Sequence, residues 1–274
     1  MKKLTASASD EANIRYRISM YVDDNGVELT GSSVWHFSIK LNFDRLTYTP
    51  AFRGEAVYLT TLSGRPIFAL PLVELEDGSF GSSSIRMLPE RLFADDARDA
   101  VGEAAPRHVY VAAIGRMVGK SCDIPFSSLR HGVGARRPPT PFLVTFADIE
   151  EPGSVEALDP HNLASSLGDG ISLKRISIEI TRDDPTERVK HIFPWFEEYR
   201  SKYLKLDGVW HQISRPYDDP IEARLGTESF SMGFWYPGVD DRPLSICDRR
   251  GSGRQPRLDS RAVSGGSVAP PDQD

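Results

Sequence analysis

Lys120, Ser121 and Cys122 follow the run Gly115-Arg116-Met117-Val118-Gly119, and their types come nearest in this chain to a chemical motif. A phosphate-binding loop needs four residues between its glycines, so that successive backbone N–H groups wrap the phosphates. Here Gly115 and Gly119 enclose three residues, and Asp123 and Pro125 stand where the phosphate-facing helix would begin. The segment is therefore not expected to bind nucleotide. Cys122 lies beside Lys120, which would favour a thiolate, but no histidine partner is assigned to it by spacing. His36, His108, His131, His161, His191 and His211 are dispersed, with no pair at helical ligand spacing, so no metal and no cofactor is expected. No Gly-x-Ser-x-Gly elbow occurs. The acidic pairs Asp95-Asp96, Asp183-Asp184, Asp218-Asp219 and Asp240-Asp241 read as solvated turns and helix ends.

Aromatic residues give the other candidate. Trp195-Phe196 and Phe234-Trp235-Tyr236 place more aromatic surface side by side than one face of a strand or helix buries. These five residues are read as a contact surface for a protein partner.

The elements that must position them follow from periodicity. Ile14, Tyr16, Ile18 and Met20 alternate with polar neighbours, Asp24-Asn25-Gly26 suits a tight turn, and Trp35, Phe37, Ile39 and Leu41 alternate again, which predicts a β-hairpin. Gly31 within the second strand predicts a bulge or a close backbone approach. Residues 55–62 and 67–75, joined at Ser63-Gly64-Arg65-Pro66, predict a second hairpin that extends the first into a four-stranded meander. Pro66 and Pro71 cannot donate ladder hydrogen bonds, so its last strand is expected at an edge or irregular. A helix is expected over 90–101, another over 160–167, and a third from Val189 to Tyr199 that Pro194 kinks or breaks. His108 to Ile114 is apolar throughout and shows no period. Strands are expected at 142–146, at 176–180 and around Phe230 to Tyr236.

The sum is an α+β fold, an antiparallel sheet packed against two or three helices. The expected organisation is a flexible N-terminus at 1–12, one mixed domain over 13–236 and a disordered tail at 237–274. The Gly-, Arg- and Pro-rich stretch 130–141 is a possible lobe boundary. A formal net charge of −6 makes nucleic acid an unlikely partner, and Arg249, Arg250, Arg254, Arg257 and Arg261 in the tail read as solubilising. Two cysteines, Cys122 and Cys247, are read as free thiols, no export signal follows Met1-Lys2-Lys3-Leu4, and no stretch is apolar enough for a transmembrane segment. Cytoplasmic location is the expectation.

Thr30-Gly31-Ser32-Ser33-Val34, Gly54-Glu55-Ala56-Val57 and the run from Leu143 to Thr181 together resemble a bacterial protein family of unknown function, over most of 16–210. That resemblance implies bacterial origin and no reaction. The function expected is that of a non-enzymatic accessory or protein-interaction protein. The alternative is an enzyme whose site assembles only in the fold, with Cys122, Lys120 and the histidines as its candidates.

Overall fold

Alternating burial begins three residues before Ile14. In the computed structural model, which describes residues 10–42, 47–74, 80–81, 83–124, 140–151, 154–195 and 231–235, the first strand β1 is Glu11–Asp24. Ala12, Ile14, Tyr16, Ile18, Met20 and Val22 are buried along its inner face. The strand thus enters the segment expected to be flexible, of which residues 1–9 lie outside the described part. Asn25 and Gly26 turn the chain at φ 53° and 86°, and β2 (Val27–Leu41) pairs antiparallel back to Glu11.

The chain continues through β3 (Tyr48–Glu55), β4 (Val57–Thr60), β5 (Pro66–Leu70), the short β6 (Val73–Glu74) and β7 (Phe80–Gly81), and then helices α1 (Ser83–Arg86), α2 (Leu88–Leu92), α3 (Ala94–Val101) and α4 (Arg107–Gly115). After β8 (Ser121–Ile124), β9 (Phe142–Phe146) and β10 (Val155–Ala157) come α5 (Ala164–Leu167), β11 (Ile171–Ile180), α6 (Val189–Ile192) and β12 (Ser231–Trp235). Two antiparallel sheets dominate, with strand orders β12-β3-β2-β1-β11-β8 and β10-β9-β5-β4. The helices are few and short. Among the described residues, no helix is long and apolar enough to cross a membrane.

The expected four-stranded meander does not form. β4 and β5 make the predicted hairpin, but beyond Ala56 the chain leaves the first sheet, and β5 pairs with β9 instead. The third strand of the first sheet is β3, whose Pro50, Ala51 and Gly54 blur the apolar alternation that marks β1 and β2. Nor is β5 an edge strand: all five of its residues are buried. Pro66 is tolerated as its first residue, and Pro71 lies past its end.

Gly31 is a close approach. A Cβ there would stand 2.2 Å from the Tyr58 carbonyl oxygen, so β2 and β4 meet backbone to backbone where the two sheets touch. The neighbouring turns are tied by Asp24, a buried carboxylate that accepts from Leu62 N at 2.6 Å.

The expected helix over 90–101 is broken at Phe93 into α2 and α3, because Leu92 and Phe93 both turn into the core. The ambiguous run from His108 is helix α4, with Val111 and Ile114 buried, and Gly115 lets it approach β1, a Cβ there falling 2.5 Å from Asn13 O. The helix expected over 160–167 shrinks to α5, since Asp159 Oδ1 accepts from His161 N and closes a turn instead. Pro194 ends the last expected helix early: α6 stops at Ile192, and 196–199 lie outside the described residues.

The stretch 130–141 falls mostly outside the described part. β11 pairs with β1 and β9 with β5, so strands from both sides of it interleave around one apolar core.

Candidate functional site

Polar side chains on β1, β2 and β3 face away from the core, and after β11 the chain runs back across them as a strap over 181–195. Thr181 N donates to the Arg15 carbonyl at 2.9 Å. Arg15 Nη1 donates to the Arg182 carbonyl at 3.0 Å and to Asp184 Oδ1 at 2.9 Å. Arg17 reaches Glu179 Oε2 at 2.8 Å and also pairs with Asp183. The strap then meets the edge of β2: Thr186 N donates to Val34 O at 3.2 Å, its Oγ1 accepts from Val34 N at 3.2 Å, and it shares a hydrogen bond with Ser33 Oγ at 2.7 Å. Glu187 pairs with Arg53, and Arg188 donates to the Ser32 carbonyl.

Glu55 anchors the far end. Its carboxylate is buried, and Oε2 accepts from Val189 N at 2.8 Å, satisfying an N–H at the start of α6 that has no intrahelical partner. Arg188 Nε lies 3.9 Å from Oε1. The Glu55 carbonyl meanwhile accepts from Ser33 Oγ at 3.0 Å and Trp35 Nε1 at 2.7 Å. One residue thus joins the sheet, the core tryptophan and the strap.

Beyond α6 the strap turns into an aromatic group of the second sheet. Phe193 stacks on Phe68 with ring centroids 4.9 Å apart and lies 5.2 Å from Phe146. Trp195 follows, half-buried, 4.6 Å from Phe193 and 6.1 Å from Phe146, its Nε1 donating to Ile149 O at 2.9 Å. Of the other predicted contact residues, Phe234 and Trp235 occupy β12 opposite Phe52 and Ala51 on β3. Phe196 and Tyr236 lie outside the described residues.

The chemical candidates are engaged structurally. Gly115 closes a helix and Gly119, at φ 85°, turns the chain into a strand, the reverse of the strand-to-helix order a phosphate loop requires. Lys120 pairs with Asp96 and lies 5.9 Å from the centroid of the Phe93 ring. Cys122 is disulfide-bonded, so it is not the free thiol expected. The other cysteine of the sequence, Cys247, is outside the described residues. His108 Nδ1 sits 3.2 Å from Tyr48 Oη, and among the described residues no three His, Cys, Asp or Glu side chains converge as metal ligands.

His36, on the outer face of β2, is a titratable group altered by its surroundings. Its pKa is lowered by burial first, then by Arg15 and Arg53, while Glu11 opposes. In the sequence it is one of six scattered histidines; Asp183 and Asp184 are exposed, as expected of a solvated turn, and they also pair with Arg17 and Arg15. Outward positions of β1 were legible from the alternation, but their carboxylate partners are more than 160 residues away.

The class this arrangement defines is a mostly antiparallel sheet protein with a few short helices, in which an ion-paired strap crosses the outer face of the larger sheet. Comparison with protein-family models, with curated proteins and with solved structures yields no match to the chain.

Proposed function

We propose that the protein is a non-enzymatic bacterial accessory protein that binds a protein partner at the sheet edge beside β3 and through the aromatic residues Trp195, Phe196, Phe234, Trp235 and Tyr236. The observation that carries this reading is the β12–β3 pairing: an extended segment from far along the chain adds itself, in register from Ser231 to Trp235, to the edge of the first sheet. An edge that accepts a distant strand in cis has the geometry by which partners add strands in trans. Trp195 supports it as a half-buried aromatic whose polar edge is already satisfied, the amphipathic surface common at contacts.

The test places a photo-crosslinking residue at Trp235 or Trp195 of the full chain, with the exposed Leu62 as control, and irradiates native extract. Discrete protein adducts at the two aromatic positions, absent at Leu62, are expected. Equal adducts at all three, or none anywhere, would sink the reading.

The bridge at Cys122 bears on location. Protein disulfides persist in oxidising compartments and are reduced in most cytosols, so an oxidising compartment is proposed in place of the cytoplasm. Denaturing alkylation of freshly lysed cells should leave Cys122 unlabelled until reductant is added. Labelling without reductant would return the protein to the cytoplasm.

A further inference from the structure

Residues paired across antiparallel strands lie side by side on one face of the sheet, and like charges placed directly opposite repel. Arg15 on β1 is the register partner of His36 on β2, and His36 is the register partner of Arg53 on β3. Three basic side chains therefore form one row across three adjacent strands. At the centre of the row, among the described residues, the His36 ring makes no hydrogen bond and is only partly covered, and Glu11 is the carboxylate that acts on it.

Carboxylates stand at the two ends as well, and both of these come from the strap. Asp184 holds Arg15 and Glu187 holds Arg53. These pairs are exposed, with Asp184 88% and Glu187 47% accessible, and pairs of that kind contribute little net stability. They are exchangeable anions at sites that suit a stronger one.

We propose that the row Arg15, His36 and Arg53 binds a tetrahedral oxyanion, a phosphate or sulfate group, over the central His36, drawing the two guanidiniums away from Asp184 and Glu187. Guanidinium forks match the spacing of oxyanion oxygens, and charge-assisted hydrogen bonds to them are short and strong. His36 supplies the central donor. The charged groups facing it are Arg15 and Glu11 from β1 and Arg53 from β3, with Asp184 and Glu187 of the strap at the ends of the row. Burial first, and then the two guanidiniums, disfavour imidazolium; a bound dianion offsets the guanidiniums, so binding takes up a proton and strengthens as pH falls.

Sodium sulfate is the first probe, because its charge is constant over this pH range. It is titrated into the full chain at fixed ionic strength, with the His36 ring resonances, assigned with His36→Gln, as readout. A saturable shift is expected, tighter at pH 6 than at pH 8. Arg15→Gln and Arg53→Gln should each weaken binding about tenfold, the usual scale for losing a hydrogen bond to a charged group. Asp184→Asn combined with Glu187→Gln should strengthen it by removing the competing carboxylates. Thermal melts within a few degrees of the parent verify that each variant is folded, and a misfolded one is replaced by the matching Lys substitution. Inorganic phosphate and methyl phosphate form the second arm: preference for the ester assigns the site to a phosphorylated compound, and preference for the free ion to phosphate itself. A non-saturable shift, or one unmoved by both arginine substitutions, means an adventitious ion only and overturns the proposal. The crosslinking at Trp195 and Trp235 is unaffected by that outcome, so the two readings fail separately.

Discussion

A Trp35→Ala variant should lose about 3–5 kcal/mol of stability, the range for deleting a large buried aromatic. Trp35 is fully buried, with edge-on contacts to Tyr16 and Phe52 at centroid distances of 5.8 and 5.6 Å. Gly54 makes room for it, since a Cβ there would fall 2.8 Å from the indole. Truncation leaves a cavity between β1 and β3 and removes the hydrogen bond from Nε1 to the Glu55 carbonyl. Trp35→Phe separates these effects. It keeps most of the volume, and the Glu55 carbonyl retains Ser33 Oγ as a donor, so a loss of roughly 1–2 kcal/mol is expected. Urea unfolding followed by circular dichroism measures both. A Trp35→Ala loss below about 1 kcal/mol would mean that the core collapses around the gap, contrary to the packing described.

Gly31→Ala should cost at least the upper end of the overpacking range, roughly 3 kcal/mol. The new methyl would sit 2.2 Å from Tyr58 O and 2.8 Å from Tyr58 C, so it meets backbone that no rotamer change can move aside. β4 would have to withdraw from β2, opening the contact between the two sheets. Gly64→Ala is the informative comparison. Gly64 has φ 87° and open space around it, so only conformational strain of about 1 kcal/mol applies. If the two variants melt together, close packing is not the reason for Gly31.

Trp35 and Gly31 differ in how legible their roles were. Trp35 falls at an apolar position of a clear alternation, and its burial follows from period alone. Gly31 was expected to mark a bulge or a close approach, but the Tyr58 carbonyl it faces belongs to a strand assigned to the wrong sheet. The β4–β5 hairpin itself was readable because its turn is local. Its sheet was not, because that depends on β9, more than 70 residues further on. β3 escaped notice for a related reason: its inward position beside Trp35 is a glycine, chosen by the neighbour's size and not by the strand's own pattern. The outer row shows the same limit. Arg15 and His36 could each be placed on a polar face, but Arg53 lies on the strand that the pattern does not mark, and nothing local aligns three strands so that they become neighbours.

The amino-acid order alone determined the turn at Asn25-Gly26, the alternation of β1, β2 and β11, the break at Pro194 and the absence of a spaced catalytic motif. These are properties of dihedral preference and side-chain period, which act over a few residues. Tertiary structure decided which hairpin joined which sheet, where helices stopped, and which carboxylates met Arg15, Arg17 and Arg53. Those outcomes rest on contacts between distant segments, whose free energies are settled only when the whole interior closes at once.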